Sequence, residues 1–135
     1  MKDVIARRIV DIHEWAKSDY FHPGMGGRTG IKFVLDAVWP SDAEMRRQFE
    51  QWTGLTADAS SDPYASLPPV EIAGVLQNVH EGTGAMRAYQ EMMYGAQRHD
   101  PEVRERWARL LRQYCHLDTL SMVLIVEHWR RVAGE

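Results

Sequence analysis

Cysteine is almost missing from this chain. Cys115 is the single one among 135 residues, so no internal disulfide can form and no cysteine-rich metal site exists. That usage fits a reducing compartment. Long apolar runs are missing as well. The longest, Met122 to Val126, falls far short of the ~20 residues that cross a bilayer. The opening Met1-Lys2-Asp3-Val4 has no apolar stretch of the kind a signal peptide carries. The expectation is a cytoplasmic protein without membrane contact. An excess of positive charge is also lacking: 16 Lys and Arg stand against 19 Asp and Glu, a formal net charge of -3. The electrostatic footprint of a nucleic-acid binder is therefore absent. Arg104, Arg106, Arg109 and Arg112 do cluster, but beside Glu102 and Glu105 they read as a solvated, paired helix face. No motif names a reaction. The segment Gly24 to Gly30 holds four glycines in seven residues, yet it has no Lys-Ser/Thr ending and no strand before it, so it is no phosphate loop. It reads as an irregular loop that orders against a partner.

What the chain does have is helical pattern, in a length suited to one domain over 1–135. It is 44% hydrophobic and 26% charged, with five Trp and seven Met. Those last two residue types suit a packed helical core or a partner surface. A first helix is expected from Lys2 to Tyr20, on the stripe Ile5, Ile9, Ile12, Trp15 and Ala16. A short second follows over Ile31 to Trp39. Ser41 and Glu44 read as a capping box opening a third helix that runs to Trp52, with Gly54 as its C-terminal stop. Thr56 to Pro69 is a loop. Pro68 and Pro69 are expected to open a fourth helix reaching Arg98, striped by Ile72, Val75, Leu76, Val79, Met86, Met93 and Ala96, with Gly82 and Gly84 in its interior. Asp100 and Pro101 make a strong N-cap and first-turn pair, and the last helix runs to the end. The expected fold is all-α: a helical bundle built on a long antiparallel hairpin, about 69–98 and 101–133, plus an N-terminal helix and two short helices.

Four residues are the candidate metal ligands: His128, Glu127, His116 and Asp19. His128 falls about 20° from the line of Leu110, Leu117 and Leu124 at 100° per residue, so it is expected to face the core and to hold a carboxylate, with Asp19 or Glu127 as partner. Glu127 sits at the margin of that face, near Leu120 and His116. Asp19 lies on the apolar side of the first helix, within reach of His128, Arg131 or Arg8. His80 and Glu81 fall off the stripe of the fourth helix. Cys115 is expected to be buried and inert.

A hairpin of long helices carrying carboxylates and histidines resembles the ferritin-like proteins in architecture. That resemblance implies iron or another divalent metal, but no Glu-x-x-His pair is present to match the family's ligand motif. Two functions follow as expectations. In the first the protein acts by protein–protein association, as an accessory subunit or a homo-oligomeric module, with no cofactor. Trp107, Trp129, Trp52 and Tyr64 would be its anchoring aromatics. In the second it is a metal- or small-molecule-binding bundle with a redox or enzymatic role.

Overall fold

A computed structural model describes residues 9–134. Its spine is a single 33-residue helix, Pro101–Ala133, capped as expected by Asp100, whose carboxylate accepts the Glu102 and Val103 amides. In chain order the elements are α1 (Ile12–Ser18), α2 (Ile31–Val38), α3 (Ala43–Thr53), β1 (Val70–Ile72), β2 (Val75–Gln77), α4 (Gly82–Tyr94) and α5 (Pro101–Ala133), with 3-10 turns at Pro23–Met25 and Pro63–Ser66. The α5 helix packs against α4, β1, α2 and α3. Its inward line Trp107, Leu110, Tyr114, Leu117, Leu120, Leu124 and Ile125 is buried. Against that line lie Leu35, Val38, Trp39, Met45 and Phe49 from α2, α3 and the corner between them. Trp39 and Phe49 meet edge to face at 5.3 Å, and the Trp39 indole N–H donates to the Asp58 carbonyl.

The all-α expectation is overturned between residues 69 and 81. This stretch forms a two-stranded antiparallel hairpin, with Val70 opposite Gln77 and Ile72 opposite Val75. The long helix hairpin of 69–98 and 101–133 is therefore not present, and neither is the architecture on which the ferritin-like resemblance rested. The residues explain why. Val70 and Ile72 are buried and Glu71 between them is exposed, which is the period of two that a strand imposes. Ala73 and Gly74 both take positive φ, 50° and 79°, the requirement of a two-residue turn between tight strands. Arg106 of α5 donates to the Glu71 carbonyl at 2.9 Å and ties the hairpin to the spine. Gly82 and Gly84 thus stand in the first turn of α4 rather than in a helix interior. No close packing demands them, since a Cβ at either would meet nothing nearer than 3.7 Å.

Two helix starts also move. Much of the expected first helix lies in residues 1–8, outside the described residues. Within them, Asp11 caps the helix and sets its start at Ile12, leaving Ile9 exposed. In α3 the cap is Asp42, whose carboxylate accepts the Met45 amide. Ser41 instead donates to Val38 O and closes α2, while Glu44 pairs with Arg47.

Candidate functional site

The polar groups of this molecule gather in two places along α5. The first lies near its C-terminal end. His128 Nδ1 stands 2.6 Å from Asp42 Oδ2, and Arg131 donates to the same oxygen at 2.7 Å. His128 Nε2 lies 3.1 Å from the Tyr20 hydroxyl. One carboxylate at the start of α3 therefore anchors two side chains of α5, and through His128 holds a residue just past α1. Burial alone would raise the Asp42 carboxyl. The Met45 amide, His128 and Arg131 outweigh it and hold the group below the ordinary carboxylate range. Burial, helped by the charge on Asp42, pushes the Tyr20 hydroxyl upward. Beside this chain Trp129 packs on Tyr20 at 5.2 Å and on Trp15 at 6.4 Å.

The second cluster lies at the middle of α5. Tyr64 is buried and donates to Asp118 Oδ1 at 2.6 Å, with Ser121 Oγ at 3.4 Å. Lys32 Nζ sits 3.9 Å from the Tyr64 ring centroid and donates to the His80 carbonyl. His80 Nδ1 is 2.9 Å from Tyr64 O. Burial and then the bond to Asp118 push the Tyr64 hydroxyl far up. Tyr114 is raised to about 12 by burial, with the Asp118 charge adding to it. Lys32, His80, Tyr114 and Asp118 border an open recess of about 660 Å³ that Asp36, Asp62 and Glu81 also line. Desolvation, then the charge on Asp62, raises the Asp36 carboxyl, while Lys32 and Arg28 oppose the shift.

The four candidate ligands are placed apart. His128 is largely buried, as its helical phase requires, but its partner is Asp42. Glu127 points outward to Arg130 at 2.9 Å. His116 is exposed and borders a groove with Trp52, Gln113 and Leu117. Asp19 is exposed and accepts from Ser18, without touching His128 or Arg131. Among the described residues no three His, Cys, Asp or Glu side chains come together so as to hold a metal ion. Arg8, the other suggested partner of Asp19, lies outside the described residues. Cys115 is exposed, not buried. Tyr64 and Trp107 are core residues, which removes both from the set of interface anchors. Arg106 and Arg112 pair with Glu102 and Glu105, the solvated face that their spacing indicates.

Sequence reasoning missed Asp42 and the contacts that join Tyr64, Asp118 and Lys32. Asp42 had a signal, since Asp ranks with Ser as an N-cap. The second group had none, because its members are far apart in the chain and meet only when it folds. No family model, curated protein or solved structure matches this chain. No helix in the described residues is long and apolar enough to cross a membrane.

Proposed function

We propose that this protein works by associating with itself through the outer face of α4, as a homo-oligomeric module. One observation carries the reading: α4 is apolar on two faces and only one of them is covered. Ala85, Ala88 and Met92 turn to the core. Met86, Tyr89 and Met93 are 64%, 48% and 36% exposed. These three fall within about 60° of one another at 100° per residue. A helix that is apolar well beyond one stripe is normally covered on both sides. The exposed stripe is uncharged and nearly symmetric along the helix, with Met at each end and Tyr89-Gln90 between. An antiparallel two-fold pairing lays such a stripe onto itself, Met86 against Met93 of the second copy. Exposed Val75 and Leu76 on the hairpin add apolar surface of the kind that marks association sites.

Sedimentation equilibrium at micromolar concentration tests this. The wild type should sediment as a dimer. Met86→Glu with Met93→Glu should sediment as a monomer with an unchanged far-UV spectrum, because both side chains lie outside the core. A monomeric wild type would overturn the self-association reading. If that monomer co-purified in fixed ratio with another protein through the same stripe, an accessory-subunit role would replace it.

A second reading, a small-molecule-binding protein, is supported by the recess around Lys32, Tyr114 and Asp118. It is concave, with several convergent polar groups. Metal analysis bears on the remaining alternative: stoichiometric iron, manganese or zinc in purified protein would favour a metal-binding role.

A further inference from the structure

Three aromatic rings and one carboxylate meet at the end of the molecule where α1 crosses the last turns of α5. Trp15, Asp19, Tyr20, Trp129, Val132 and Ala133 line an open cavity of about 370 Å³ there. The rings are tilted rather than stacked: Trp15 lies at 57° to Trp129 and Tyr20 at 48° to Trp129. All three residues border the cavity. The Trp15 indole is 44% exposed, so it stays open on the cavity side even though it packs on Trp129 at 6.4 Å. We propose that this cavity is an aromatic cage that binds a trimethylammonium group.

The chemistry follows from the lining. A cation within about 6 Å of an indole or phenol face is attracted by the ring quadrupole, and quaternary ammonium ions are the ligands that such cages take. The lining is mostly carbon, so a bare ammonium would lose its water shell with few acceptors to replace it. A fully methylated nitrogen has no N–H to satisfy. Asp19 supplies the opposite charge. The only hydrogen bond of its carboxylate among the described residues is from Ser18, at 2.6 Å, and it has no ion-pair partner there. The neighbouring cations are occupied: Lys17 by Glu14, Arg130 by Glu127, and Arg131 by Asp42. The cage is also held in shape before any ligand arrives. The Tyr20 hydroxyl is tied to His128, and His128 to Asp42, which fixes one wall on α5. Betaine is disfavoured, because its own carboxylate would face Asp19. A free choline-like molecule and a trimethylated lysine side chain both carry the favoured group.

The test is a titration followed by the indole N–H signals of Trp15 and Trp129 in the proton–nitrogen spectrum, with buried Trp39 as internal control. Choline should shift both signals saturably and leave Trp39 still. Its neutral isostere, with a tert-butyl group in place of the trimethylammonium, should bind at least about tenfold more weakly, the ratio worth 1.4 kcal/mol. Asp19→Asn should weaken choline several-fold and Trp15→Ala should abolish binding. Both residues are exposed enough for the fold to persist, which far-UV circular dichroism checks. A peptide carrying trimethyllysine distinguishes the sources: tighter binding than choline assigns the cage to a modified side chain, weaker binding to a free small molecule. The proposal is overturned if neither ligand gives a saturable shift, or if the neutral isostere binds as well as choline.

Discussion

At the scale of single residues, Asp42 decides more than any other side chain. It caps α3, orients His128 and neutralises Arg131. Replacing His128 with Ala removes a largely buried ring and orphans part of that carboxylate, so stability should fall by about 1–3 kcal/mol. The same change at exposed His99 should cost almost nothing. Equal urea midpoints for the two variants would refute the role given to His128. The Asp42 carboxyl titrates below its unfolded value. Its contribution is therefore complete above the ordinary carboxylate range and is lost as pH falls through the depressed value. Asp42→Asn should lower stability at neutral pH and flatten the acid limb of the curve below about pH 4, where carboxylates ordinarily titrate. A variant with an unchanged acid limb would place that pH dependence elsewhere. The inward direction of His128 was legible from its phase with Leu110, Leu117 and Leu124. Its partner was not. The two residues are 86 positions apart, and no periodicity within one helix carries information about a contact at that separation.

At the scale of elements, the last helix and the two short ones could be read because their signals are local. Asp100-Pro101 starts α5, Gly54 with φ 72° ends α3, and Pro40 follows the end of α2. The hairpin was lost because Ile72, Val75, Leu76 and Val79 also fit a spacing of three and four, and a short apolar run does not distinguish strand from helix. The deciding feature was the turn, Ala73-Gly74, in which Ala is a poor mark of positive φ. Ala73 sits at φ 50°, a conformation that costs a residue with a Cβ roughly 1–2 kcal/mol. Ala73→Gly should relieve part of this and raise the unfolding free energy by about 0.5–1 kcal/mol once glycine's greater freedom in the unfolded chain is counted, read as a higher urea midpoint. A lowered midpoint would mean that the turn is not strained.

At the scale of the whole molecule, everything is hung on α5. Its N-terminal part carries the hairpin through Arg106, its middle holds Tyr64 through Asp118, and its last turns hold α3 through Asp42. Loss of the Asp42 contacts should therefore loosen the α3 end before the hairpin end. Hydrogen exchange in Asp42→Asn should speed up in α3 and in the last turns of α5, with the amides around Trp107 little changed; uniform acceleration would show that the molecule opens only as one unit. The length of α5 has a further consequence for anyone weighing the protein. Thirty-three residues at 1.5 Å each make a rod of about 50 Å, whereas a compact chain of this size is about 37 Å across. The particle is somewhat longer along α5 than a sphere of its mass, with α2, α3, α4 and β1 packed against that helix, and it should drag slightly more than a sphere. On gel filtration a single copy should elute only slightly ahead of a sphere of its mass, well short of the position of a dimer. Light scattering or sedimentation equilibrium, which report mass independently of shape, are the measurements by which its copy number has to be counted.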